Sequence, residues 1–181
     1  MDPTEFSESR IAGMIDDVKK YFRDERTLYF PASELLAVKW KSAVEAHFPN
    51  SLLDHVRTIV LDGARIPPPP FYAEAVELSS GNFPDFVHLA SVTYIDIIVF
   101  NEPIQPRSLF HALVHAQQFA VLGMEQYLGI YVRGFLKHRT WVRIPLEVQA
   151  FKLEERFMIS PPEAFSVEDE VYEWMRRGEY E

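Results

Sequence analysis

The segment Leu109-Phe110-His111-Ala112-Leu113-Val114-His115-Ala116-Gln117-Gln118-Phe119 constrains this chain more than any other stretch. At helical period it is apolar nearly all round, and such a helix is buried rather than laid on a surface. Its few polar residues are not scattered. His111, His115 and Gln118 stand at i, i+4 and i+7 and share one face. The fold must enclose this helix and still find partners for two imidazoles and an amide, because unpaired polar groups are costly in an apolar interior. Two imidazoles one turn apart can hold a single metal ion through their ring nitrogens. They can also be core histidines bonded to backbone carbonyls. For Gln118 the expectation is an amide bridging two helices, since amides are poor zinc ligands.

Pro106 suits the first turn of this helix, which is predicted to run to Leu122 with Gly123 as its stop. Met124 to Lys137 reads as a further apolar helix, Thr140 to Arg143 as a connector, and Pro145 to about Met158 as the next helix. Upstream, helices are predicted over 4–25, where Ile11, Met14, Ile15, Val18 and Phe22 recur, and over 32–47, with Ser33 as a cap. A short helix is predicted over Phe71 to Leu78, and an amphipathic one over 167–177. Ser91 to Phe100, rich in β-branched residues, reads as one strand. Leu52 to Leu61 reads as a strand or a helix end. Pro67 to Pro70 should be an extended connector, and Ser160-Pro161-Pro162 a break. The expected fold is α+β: a mainly helical single domain over 1–181, with a small sheet beside the histidine helix and the metal-site region at about 91–158.

Composition narrows the function. Of 181 residues 48% are hydrophobic, enough for a substantial core, and 14% are aromatic, so that core is ring-rich. A net charge of −9 disfavours nucleic acid, whose phosphates need a basic surface. The acid crowds the C-terminus (Glu168, Asp169, Glu170, Glu173, Glu179, Glu181), where it reads as a solvated helix face and tail. With no cysteine there are no disulfides and no thiolate zinc sites. Met1-Asp2-Pro3-Thr4-Glu5 has no leader pattern, and no uncharged apolar run reaches about 18 residues. The expectation is a soluble cytoplasmic protein with no membrane partner.

Two histidines do not complete a zinc site, which takes three protein ligands when an open position is kept. Glu147, in Ile144-Pro145-Leu146-Glu147-Val148-Gln149-Ala150-Phe151, is the third candidate. It heads a partly apolar face with Ala150, Phe151, Glu154 and Met158, where an unpaired carboxylate is costly. A cation relieves that cost; so does Arg133 or Arg143, and the helix N-terminus favours a carboxylate without either. His47, His55, His88 and His138 read as surface or structural.

His111-x-x-x-His115, followed 32 residues later by Glu147 on another helix, resembles the gluzincin arrangement of the zincin metallopeptidases. The strings around these residues, with the strand Thr93 to Phe100, are similar to a group of small zincin-like proteins reading H-E-L-V-H and then P-L-E-x-x-A, over roughly residues 65–158. The resemblance implies one zinc held by His111, His115 and Glu147, though Ni, Co or Fe would bind such a set. It also implies a peptide-like or small-molecule ligand. The chain departs from the pattern at Ala112, where the family has the glutamate that takes a proton from the water at the metal. Metal binding is expected to survive this change and standard peptidase activity to be lost. A second reading is an active metallohydrolase with its base at Glu102, Asp96 or Glu154. A third is a metal-free interaction module using the acidic C-terminal helix or the Pro67–Pro70 loop.

Overall fold

The computed structural model describes residues 6–159 and 164–180. The first helix, α1 (Glu8–Tyr29), opens with Ser7 accepting a hydrogen bond from the Arg10 amide. Its periodic apolar residues pack inward as expected, but it continues past 25 until Pro31 imposes a 3-10 turn at Phe30–Ala32. Residues 4 and 5 and the predicted break at Ser160-Pro161-Pro162 lie outside the described residues.

The helix expected over 32–47 is shorter, as α2 (Val38–Val44), because the chain before it joins a sheet. Ser33 does not cap a helix; its hydroxyl donates to Phe30 O and accepts from Arg57 Nε. Glu34–Leu35 form β1 and Leu36 N donates to Val56 O, so backbone pairing outcompetes the helical pattern here. Helix α3 (Asn50–Leu53) then leads into β2 (Arg57–Val60). The Pro67–Pro70 run has no regular structure, and α4 (Tyr72–Leu78) follows it.

The single strand expected over Ser91 to Phe100 is a hairpin, β3 (Ser91–Tyr94) and β4 (Ile97–Phe100), turning at Ile95-Asp96. Ile95 takes φ 66°, which a β-branched residue adopts only when held there. The holding groups are visible: the Asp96 carboxylate takes two bonds from Arg26 on α1, at 2.5 and 2.7 Å, and the Asp96 carbonyl accepts from Arg57 N. The sheet order is β1-β2-β4-β3, with β2 and β4 parallel and the other pairs antiparallel. All four β4 residues are buried. Ile98 and Phe100 enter a core with Leu109, Phe110 and Leu113, whereas Ile97 and Val99 enter another with Tyr21, Ile66 and Phe86.

Helix α5 (Pro106–His138) is capped by Gln105 and Ser108 and broken at Gly123, which has φ 70° and ψ 167°. The two helices expected on either side of Gly123 are therefore its two halves. The first half is buried against the sheet. The second approaches the start of α6 (Pro145–Met158) so closely that a Cβ on Gly134 would lie 2.7 Å from Pro145 Cδ. Helix α6 packs chiefly on α5, burying Leu146, Glu147, Ala150, Leu153 and Glu154; Met158, placed on that face by periodicity, is exposed at its end. Helix α7 (Val167–Arg176) buries Val167, Val171 and Trp174. Its acidic residues are not all solvated, since Glu170 takes Arg156 and Glu168 accepts from Gln117. The result is a mainly helical α+β fold with a four-stranded mixed sheet. No described helix is long and apolar enough to cross a membrane.

The backbone of Gly123 lies in a region that only glycine occupies without strain, and nothing stands within 4 Å of where its Cβ would be. Gly123→Ala should thus cost about 1–3 kcal/mol from the backbone alone. Urea unfolding measures it; an unchanged midpoint would mean that position 123 is not held in this conformation.

Candidate metal centre

The first half of α5 presents His111 and His115 one turn apart, and the first turn of α6 presents Glu147 to both. His111 Nε2 and His115 Nε2 are 3.1 Å apart, and each lies 3.4 Å from Glu147 Oε2. Donor atoms about 2.0–2.1 Å from a tetrahedral zinc lie about 3.3–3.4 Å from one another. The triangle therefore has the dimensions of three vertices of such a site. Among the described residues, this is the group of three side chains that could hold a metal ion.

The outer ring nitrogens explain why the inner ones are bare. Gln118 is fully buried, and its Nε2 donates to Leu146 O at 3.0 Å and Gln149 Oε1 at 2.9 Å. Its oxygen must then face His115 Nδ1, 2.9 Å away, so that nitrogen carries the hydrogen, which it shares with the Tyr127 hydroxyl oxygen at 3.2 Å. On the other ring, His111 Nδ1 donates to Glu154 Oε2 at 2.9 Å. In the neutral rings both Nε2 atoms are lone-pair acceptors pointing at each other and at a carboxylate. Three acceptors at this separation repel unless a cation, metal or proton, lies among them. Orientation of a ligand imidazole by a carboxylate or carbonyl on its far nitrogen is what metal sites require.

Electrostatics agree. Burial alone would push the Glu147 carboxyl up, but the two imidazoles outweigh it and hold the group down at about 2. Burial would push His111 down, yet Glu147 and Glu154 outweigh it and raise it to about 9. Glu154 is also held below the usual range, burial being outweighed by His111 and Arg107. Neither arginine proposed as a partner for Glu147 is seen beside it; Arg133 is committed to Glu8 at 2.7 Å.

Of the carboxylates named as alternative bases, none is free. Glu154 is an orienting group gripped by Arg107, Asp96 is clamped by Arg26 in the hairpin turn, and Glu102 pairs with Arg65. Ala112 is buried and lines the same cavity as the histidines, with its carbonyl accepting from Thr93 Oγ1. His55 and His88 make local bonds to Ser51 O and Asp85, and His47 bonds Phe165 O across the fold. The orienting roles of Glu154 and Arg107 were missed from sequence. Arg107 stands four residues before His111, and Glu154 seven after Glu147, so helical spacing held the signal.

No family model matches the chain, and neither a curated protein nor a solved structure does. The resemblance to zincins therefore rests on the local sequence strings.

Two outcomes follow from the site. Gln118→Met keeps the bulk but removes the acceptor from His115, and should weaken metal retention about 10–100-fold; equilibrium dialysis against zinc reads it. The second concerns pH. His111 is raised from 6.5 to about 9, so in metal-free protein its stabilising contribution is complete below pH 6.5 and lost as pH rises through 9. Glu147 is depressed from 4.5 to about 2, so its contribution is present above 4.5 and lost as pH falls through 2. The melting temperature of chelator-treated protein should therefore fall between pH 6.5 and 9 relative to a His111→Asn control. Metal affinity should rise over that same interval, as the competing proton leaves.

Proposed function

We propose that this protein is a zincin-like zinc-binding protein from which the standard peptidase step is missing. The observation that supports the reading best is the triangle of His111 Nε2, His115 Nε2 and Glu147 Oε2, with both Nδ1 atoms tied back into the fold. Nitrogen and carboxylate donors suit zinc, although Ni, Co and Fe accept the same set. When bound, such an ion supplies Lewis-acid polarisation to a ligand in the adjoining cavity. The chain's own residues do the rest. His111, His115 and Glu147 hold the ion, and Glu154 and Gln118 fix the rings.

What is lacking is the carboxylate that the zincin pattern places after the first histidine. Ala112 has no titratable atom, and losing a general base costs about 10²–10⁴-fold in rate. The reading of an active metallohydrolase needs a free base, and the three carboxylates named for it are engaged elsewhere. The reading of a metal-free interaction module must leave two bare imidazole nitrogens facing a buried carboxylate with only a proton between them.

Gently purified protein should contain one zinc per chain by elemental analysis, and chelation should lower its melting temperature. His115→Ala should lose the metal on dialysis. The same preparation should show no chelator-sensitive cleavage of a mixed peptide library. Robust cleavage would overturn the inactive reading, and metal-free protein with an unchanged melting temperature after zinc addition would overturn the centre itself.

A further inference from the structure

The candidate centre opens into a cavity of about 520 Å³. Small-molecule sites span roughly 300–1,000 Å³. The walls come from α1, α4, the chain before β3 and the second half of α5, and Val18, Phe22, Phe71, Ala75, Phe83 and Leu136 give their character. Polar groups gather at one end, at Arg107 and His111 from α5 and Glu147 and Glu154 from α6.

Elsewhere along the walls several polar groups already have partners within the fold. The Tyr21 hydroxyl bonds that of Tyr94 at 2.8 Å, Thr93 Oγ1 donates to the Ala112 carbonyl at 3.0 Å, and Glu74 turns to Arg10. A peptide in this space would bring an N–H and a C=O per residue with few partners for them. A hydrocarbon chain brings none, and each buried methylene tightens binding about threefold to fourfold. At the other end, two neutral imidazoles and one carboxylate around a divalent ion leave one net positive charge, with the Arg107 guanidinium nearby balanced by Glu154. That end favours a small anion.

We propose that the cavity binds a single-chain alkyl carboxylate, its tail among the α1, α4 and α5 side chains and its head at the His111–His115–Glu147 centre. The inference rests on the metal reading above. Calorimetry with octanoate, decanoate and dodecanoate tests it on zinc-loaded and chelator-stripped protein, with zinc content measured on every sample. Trp141 lines the cavity and gives a parallel fluorescence signal. Affinity should climb about threefold per methylene, and dodecanoate should bind zinc-loaded protein at least about tenfold more tightly than stripped protein. Methyl dodecanoate, whose head is neutral, should lose that advantage. Ala75→Phe puts a ring into the tail space and should abolish the dependence on chain length while zinc is retained. Affinity without chain-length dependence overturns the proposal, as does equal dodecanoate affinity with and without zinc. Zinc retention with no alkyl binding defeats this inference alone, whereas a protein that takes up no zinc defeats the metal reading and the head contact with it.

Discussion

The buried amide of Gln118 donates to the carbonyl of Leu146 and to Gln149, and accepts from His115 Nδ1. Those three bonds join the fold to the centre. Leu146 immediately precedes Glu147, so the same group that sets the His115 ring also sets the turn from which Glu147 projects. Burial makes the arrangement obligatory, because no water stands by to satisfy an amide that loses its partners. Gly134 supplies the complementary condition. Without a Cβ it lets the second half of α5 lie against Pro145, bringing α6 close enough for its first-turn carboxylate to reach imidazoles on the other half of α5.

The centre is stable electrostatically only as a set. Glu147 is buried in a position that would neutralise a lone carboxyl, yet it stays ionised because positive charge is shared with the two imidazoles. His111 in turn answers to two carboxylates, one at each ring nitrogen. Removing any one of these groups leaves the others with an uncompensated buried charge, the expensive case for polar interiors. The packing around them is rigid aromatic and aliphatic material, including the His111–Phe151 contact at 4.7 Å between ring centroids.

Much of this was legible in the sequence, and the reasons differ by element. The histidine helix announced itself because its period, its apolar surround and the Gly123 stop all agreed. Glu147 was legible because a carboxylate heading an apolar face asks for a partner. The β3–β4 hairpin was not. Its turn carries Ile95 and Asp96 in place of glycine or asparagine, and what makes it work is Arg26, distant in sequence. Strand β1 was hidden for a related reason, since two residues of backbone pairing leave no periodic trace among apolar neighbours. The cavity had no sequence signature at all. It is space left between side chains of several elements, each of which reads as ordinary core.

The break at Gly123 divides the labour of α5. Residues before it carry the two histidines and are locked to the sheet; residues after it, such as Tyr131, Phe135 and Leu136, form cavity wall. A side chain in the second half can be exchanged for a larger or smaller one without turning the helical segment that spaces the imidazoles. Evolution can accordingly retune the shape of the chamber in small steps while the His111–His115–Glu147 triangle at its end stays fixed, which makes this scaffold a ready starting point for redesigning selectivity.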